Sequence, residues 1–298
     1  MTSATSPNVG ISLEGMLSRR AALLGAAAGA AFGLAARTLN ASAEQDTPAT
    51  FVLVPGAWAG AWIWRDIIAM LRADGHHVYA ISTTGMGDRV HLADPAINLD
   101  THITDVVNTI EFEDLHDVHL VGWSYSGMII TGVADTIPER LAQVIYLDAD
   151  VPANGESGYD AELCSAEARA ADVASGVDAG LPGFFTVEPY REWIEAMVPD
   201  PVHQAWLFTH FTPQSLATYT QPIQLGLKDL ESNPAADALP RAFIFCTEGK
   251  GTPEVDALVR TANRVRGNPF WKYRELAQTH FAPINNPEAT VQVLLSLI

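Results

Sequence analysis

Residues 118–128 read Val118-His119-Leu120-Val121-Gly122-Trp123-Ser124-Tyr125-Ser126-Gly127-Met128. The apolar run of Val118, Leu120 and Val121 stops at Gly122, a serine follows two residues later, and a helix-compatible segment runs from Met128 to Ala134. The order is strand, tight turn, helix. A serine in such a turn is held at the end of a strand, with its oxygen exposed and the next backbone N–H pointing the same way. That is the mechanical content of a G-x-S-x-G nucleophile elbow. Here the fifth position is Ser126, so four of the five places match, and Ser126 with Gly127 still lets the helix pass close to the strand. Ser126 is the alternative nucleophile, disfavoured because one of the positions that would have to be small is Met128. A plain turn carrying two solvated serines is the bland alternative. A short motif does not decide among these, so the neighbouring segments must.

Working outward, Phe51–Val54 is a short buried strand stopped by Pro55-Gly56, followed by an amphipathic helix over about Trp62–Ala73, Gly75, and a second strand at Val78–Ile81. Strand, helix, strand at this spacing is a βαβ unit with a right-handed crossover, which fixes a parallel sheet. The glycine-bearing loop over 83–92 lacks the Gly-Lys-Ser/Thr ending of a phosphate loop and reads as a bent surface loop with Asp88 and Arg89 available for local ion pairs. A helix follows over Leu99–Glu113. Beyond the elbow helix, Leu141–Leu147 is another buried strand, ending at Asp148. Over about 150–235 the strand rhythm is lost. An Ala/Glu-rich helix near 161–174 precedes a region holding Phe184, Phe185, Trp193, Trp206, Phe208, Phe211 and Tyr219, which reads as an inserted helical cap whose aromatics are mostly core. Strands at Ala242–Cys246 and Trp271–Leu276, with helices near Pro253–Val265 and Pro287–Ile298, complete an α/β pattern.

The amino terminus reads differently. Arg19-Arg20 precedes an apolar Ala/Gly/Leu run over Ala21–Ala36, and Ala41-Ser42-Ala43 offers a small-x-small cleavage site. This is the pattern of a twin-arginine export signal over residues 1–43, which places the mature domain, 44–298, in the periplasm or outside the cell. The run is short for a membrane span of about 20 apolar residues, and no cysteine follows it, so no stable membrane anchor is expected. With 17 basic against 35 acidic residues and a formal charge of −18, nucleic acid is an improbable partner. Cys164 and Cys246 lack metal-site spacing. They could pair outside the cytoplasm, but Cys246 lies in an apolar run and reads as a buried thiol.

A serine hydroxyl needs a base to take its proton, and the base works best when a carboxylate fixes its tautomer and offsets its charge. In a hydrolase sheet the chain order is Ser, acid, His. His280, in the loop between the last strand and the last helix, is the best-placed of the nine histidines; the others read as solvated or core residues. Asp148, at the end of the strand after the elbow helix, is the favoured acid, Glu248 its rival after the next strand, and Asp150 a weaker third. Tetrahedral intermediates also need two donors: the backbone N–H of Tyr125, next to the nucleophile, and that of Ala57, in the turn after the first strand.

Phe51–Trp64, the 84–92 loop, Leu99–Ile103, Val121–Met128, Tyr146–Ala149 with Val151-Pro152, and the His280 loop together resemble the α/β-hydrolase family, and within it the bacterial esterases related to plant methyl esterases and hydroxynitrile lyases. The resemblance implies a mostly parallel sheet flanked by helices, a small cap, a buried apolar pocket, and a serine hydrolase that needs neither cofactor nor metal and acts on a small-molecule ester. The expected reaction is cleavage of a small to medium apolar carboxylic ester through an acyl-enzyme on Ser124. Three departures accompany it. The usual His-Gly after the first strand is Pro55-Gly56, the elbow has Ser126 for glycine, and the acid that plant-type enzymes carry after the Ala242–Cys246 strand is replaced by Gly249. That last loss moves the acid to Asp148, a location also used by some haloalkane dehalogenases of this fold. The related lyases carry a lysine after the histidine and a threonine in the oxyanion turn, where this chain has Phe281 and Gly56. A degenerate homologue that binds an apolar ligand without turnover is the non-enzymatic alternative.

Overall fold

The computed structural model of the chain describes residues 47–226 and 233–298. The export signal expected over 1–43, and the part of the cap at 227–232, lie outside the described residues.

Among the described residues, eight strands form two sheets. Strands β1 (Thr50–Val54), β2 (His77–Ala80), β3 (Val118–Trp123), β4 (Leu141–Leu147), β7 (Arg241–Cys246) and β8 (Trp271–Leu276) make a six-stranded sheet in the order β2-β1-β3-β4-β7-β8. Every neighbouring pair in it is parallel. The remaining two, β5 (Phe184–Phe185) and β6 (Gln214–Ser215), pair as an antiparallel ribbon inside the cap.

The central strands are nearly continuous runs of apolar residues because both faces of the sheet are covered. Side chains alternate between two cores. Val52, Val54, Leu120, Val144, Tyr146 and Phe243 enter one, shared with helices α2 (Leu99–Phe112) and α3 (Ser126–Thr136). Phe51, Leu53, Val121, Ile145, Leu147 and Ile244 enter the other, with α1 (Arg65–Ala73) and the helix at Pro287–Leu295. The chain runs outward from β1 to β2, then crosses back to place β3 on the other side of β1. At such a reversal, the loops leaving neighbouring strands diverge and open a crevice at the carboxyl edge.

Several element limits differ from the sequence reading, each for a local reason. The Ala/Glu-rich segment splits. Ser157 and Asp160 form a reciprocal capping box on the short turn Gly158–Ala161, Leu163 takes a φ of 58°, and Ser165 caps a separate helix at Ala166–Asp178. The helix expected from Pro253 starts at Ala257, where the Asp256 carboxylate accepts from the N–H groups of Leu258 and Val259. The first helix opens with a 3-10 turn at Ala61–Trp64. Between β5 and β6 the cap is helical, as expected, with Arg191–Met197 and Pro201–His210. The two-residue ribbon itself is too short to show a period-2 pattern. Both cysteines are free thiols.

Candidate active site

Trp58, Ser124 and Asp148 sit in the turns leaving β1, β3 and β4, and all three have positive φ, at 58°, 60° and 45°. Each such residue costs on the order of 1–3 kcal/mol and persists only where its surroundings hold it. At Ser124 the holding contacts are visible. Gly127, in the first turn of α3, passes so close to the turn after β4 that an added Cβ would lie 1.9 Å from the Asp150 carbonyl oxygen. The close approach that the elbow motif assigns to its fifth residue is made here one place later. Ser126 is fully buried, with its Oγ 2.9 Å from the Val54 carbonyl and 2.8 Å from that of Trp123. Its hydroxyl therefore ties the elbow to the end of β1.

Ser124 lines a cavity and meets His280. Its Oγ–H donates to His280 Nε2 at 2.9 Å, and His280 Nδ1–H donates to Asp148 Oδ2 at 2.7 Å. The loop carrying the imidazole is anchored by Trp123, whose Nε1–H donates to the His280 carbonyl at 2.8 Å and whose ring packs 5.3 Å from the imidazole. Asp148 is fully buried. Its Oδ1 accepts from the Cys246 N–H at 3.1 Å, and its Oδ2 also meets Lys250 Nζ at 2.5 Å. Burial by itself would raise this carboxyl's pKa, but the Lys250 charge and then the His280 hydrogen bond outweigh it and hold Asp148 below the ordinary carboxylate range.

The competing acids are placed elsewhere. Glu248 is exposed at the cavity rim, and Asp150 neighbours Glu162; among the described residues the carboxylate bonded to His280 is that of Asp148. At Gly249, with a φ of 70°, an added Cβ would lie 2.5 Å from Met197 Sδ, so Met197 fills the space a side chain there would need. Lys250, which the sequence reading did not single out, reaches Asp148 from the same loop.

The turn after β1 lies against the serine. An added Cβ on Gly56 would be 2.8 Å from Ser124 Cβ. The cap pins this turn: the Trp58 N–H donates to Gln214 Oε1 at 3.1 Å, and the Trp58 carbonyl accepts from the Thr212 N–H at 3.0 Å. Among the described residues the N–H groups of Ala57 and Tyr125 meet no protein acceptor, so both are free to face an oxygen bound beside Ser124. Below the elbow, His102 is a core histidine. Its ring nitrogens lie 3.1 Å from the Tyr125 hydroxyl and 3.1 Å from the Thr84 carbonyl, and burial pushes its pKa down to about 4.

The cavity holds about 360 Å³, the size of a small-molecule site. Trp58 and Tyr190 line it together with Phe185, Trp193, Phe211 and Tyr219; these last four belong to the cap aromatics expected to be mostly core. The wall is not wholly apolar, since Asp150, Glu162, Glu248 and Lys250 also contribute.

A scan against family models matches residues 51–293 to the alpha/beta hydrolase family. A carbendazim hydrolyzing esterase from a Nocardioides species is 41% identical over 186 residues, covering 60% of this chain and 74% of that protein. Polyneuridine aldehyde esterase of Rauvolfia serpentina is 24% identical over 229 residues, covering 72% and 83% of the two chains. Among solved structures, an extracellular alpha/beta-hydrolase from a Paenibacillus species superposes with a TM-score of 0.67 at 21% identity, over 84% of this chain and 99% of that one. A parallel sheet with its serine turn at the strand-order reversal, a histidine loop after the last strand and a family match along almost all of the described fold lead to one assignment: the chain belongs to the alpha/beta hydrolase family.

Proposed function

We propose that the protein is a serine esterase that cleaves a small to medium carboxylic ester through an acyl-enzyme on Ser124. The observation carrying this reading is the hydrogen-bonded series from Ser124 through His280 to Asp148, with bonds of 2.9 and 2.7 Å, at the floor of an aromatic-walled cavity. The ester-cleaving relatives named above support the substrate class.

In this scheme Ser124 Oγ attacks the ester carbonyl carbon while His280 Nε2 takes its proton. The carbonyl oxygen becomes an oxyanion, held by the N–H groups of Ala57 and Tyr125. Asp148 stays ionised, keeps Nδ1 as the donor nitrogen, and offsets the imidazolium charge. The intermediate collapses as the carbon–oxygen bond to the alcohol breaks, and the imidazolium gives its proton to the departing alkoxide. Water then attacks the acyl-enzyme with His280 again as base, releasing the acid and restoring the Ser124 hydroxyl. Lys250 acts through Asp148, keeping its charge on the carboxylate when the site is empty of imidazolium.

Hydrolysis of p-nitrophenyl acetate and butyrate tests the reading. Turnover is expected for the native protein and a loss of at least about 10³-fold for Ser124→Ala. Absence of turnover across both acyl chains, with an apolar ligand still bound, would point to the non-catalytic homologue. The leader reading of residues 1–43 places the reaction in the periplasm or outside the cell, which amino-terminal sequencing of the exported protein checks.

A further inference from the structure

The imidazole of His280 sits in a loop, and loops move more than the elements they join. Its hydrogen bonds to Ser124 and Asp148 nevertheless demand a position fixed to a fraction of an ångström. Part of the hold comes from β3, through the Trp123 indole on the His280 carbonyl. Another part comes from the cap. The helix Arg191–Met197 stops at Val198, ahead of Pro199, so its last turn leaves carbonyls without a helical partner. Gln204 Nε2 donates to those of Glu195 and Val198 at 3.0 and 2.8 Å. The Met197 carbonyl takes its donors from far along the chain: the Thr279 hydroxyl at 2.6 Å and Asn285 Nδ2 at 2.8 Å.

These two side chains also meet each other, with Asn285 Nδ2 2.8 Å from Thr279 Oγ1. A carbonyl oxygen only accepts, so the hydroxyl proton of Thr279 goes to Met197, and the amide protons of Asn285 are divided between that carbonyl and the Thr279 oxygen. The result is a closed triangle of hydrogen bonds. Thr279 immediately precedes His280, and Asn285 ends the turn Ala282–Asn285 that follows it. The clasp therefore grips the histidine loop on both sides of the imidazole in sequence.

The same cap helix touches the site elsewhere. The Trp193 ring packs 5.4 Å from the imidazole, and Met197 Sδ fills the space beside Gly249, in the loop carrying Lys250. That loop is joined to the histidine loop by the Glu248 N–H, which donates to the Gln278 carbonyl at 3.0 Å. Ile194 and Val198 are fully buried in the core that also holds Phe281, Ala282 and Ile284. Neither Thr279 nor Asn285 lines the cavity. Their route to the substrate runs through His280.

We propose that Thr279 and Asn285 are positioning residues: their clasp on the Met197 carbonyl lets the seated cap hold the His280 imidazole in line between Ser124 and Asp148. The consequence for turnover rests on the esterase reading; the consequence for the His280–Asp148 hydrogen bond does not.

Thr279→Val, which keeps the side-chain shape and removes the donor, tests this by two readouts. The first is hydrolysis of p-nitrophenyl butyrate, with active sites counted by titration to completion with an organophosphonate. The kcat per titrated site is expected to fall about ten- to a hundredfold, with KM within about twofold of the native value, and Thr279→Ser is expected to recover most of the loss. A structural role alone would lower the titrated fraction and leave the rate per titrated site unchanged, and that result would overturn the proposal. The second readout is the downfield proton NMR signal of His280 Nδ1–H, identified by its absence in His280→Ala. It is expected to move upfield or broaden in Thr279→Val; an unmoved signal would overturn the proposal even where rates fall. If the native protein cleaves no ester and the signal still responds as described, the clasp stands and the esterase reading fails. Should Thr279→Val fail to fold, Asn285→Asp, which removes both amide donors at nearly constant shape, is read in the same way.

Discussion

Asp148 and Asp150 are two residues apart in one turn, and both are almost completely buried, at 0% and 4% exposure. Their carboxyls are nevertheless driven in opposite directions. Asp148 faces Lys250 and His280 and is held below the ordinary range; Asp150 faces Glu162 and is pushed well above it. Burial disfavours charge at both, so it does not distinguish them. The sign of the nearest neighbours does. One turn after β4 therefore supplies an ionised acid on the sheet side, behind the histidine, and a proton-holding acid on the cap side, beside the cavity. The first acid stands behind the imidazole; the second shares the wall of the cavity with Glu162.

The sharpest way to break this comparison is to neutralise each acid in turn. Asp148→Asn is expected to lower kcat for p-nitrophenyl butyrate by about 10³ to 10⁴-fold, since His280 loses the acceptor that fixes its tautomer. Asp150→Asn is expected to cost less than about tenfold, the range of a contact outside the proton path. Equal losses would mean that the two acids do not divide the work as described. Glu248→Gln, at the rival position, is expected to lose less than about threefold on the same assay.

A smaller effect is expected at Lys250, whose charge is the main influence lowering Asp148. With Lys250→Met the Asp148 pKa rises. The ionised form needed for catalysis is then lost at higher pH as the solution is acidified, so the acid limb of the kcat/KM profile moves upward. An unmoved limb would show that Lys250 merely packs there.

The smallest effect concerns stability. Glu162 holds a proton in the folded protein up to about 7, whereas the unfolded chain releases it near the ordinary value of 4.5. Between those values the folded state binds the extra proton, so this contribution is complete at low pH and is lost as pH rises through about 7. Asp148 acts with the opposite sign: its contribution is present above the unfolded value of 3.8 and is lost on acidification below it. Melting temperatures of the native protein and Glu162→Gln, followed from about pH 5 to about pH 8, are expected to show the steeper decline in the native protein. Parallel slopes would contradict a Glu162 carboxyl that burial keeps protonated in the folded protein.

The parts of this site that were legible in the sequence are those written in local grammar. A strand that stops at a small residue and turns into a helix announces Ser124, a loop between the last strand and last helix offers His280, and a strand ending in an acid offers Asp148. Each needs only its own ten or so residues to be read. The Lys250–Asp148 contact spans 102 positions in sequence, and the Asp150–Glu162 pair joins the sheet edge to the cap, so neither has a spacing to read. From the sequence Asp150 reads only as a triad acid; what redirects it is a partner that tertiary packing supplies. The cap was harder throughout, because its helices are short and capped individually, as at Ser157, Ser165 and Asp200, and its ribbon has two residues per strand. Phe185, Trp193, Phe211 and Tyr219 face a cavity, and composition alone does not tell a cavity wall from a core.

The division between the two acids matters only if Ser124 is the residue they serve. Treatment with an organophosphonate ester, followed by peptide mass spectrometry, measures that directly. A single covalent adduct on Ser124 is expected, forming far more slowly in Asp148→Asn than in Asp150→Asn. An adduct on Ser126, or none on either serine in the native protein, would contradict it.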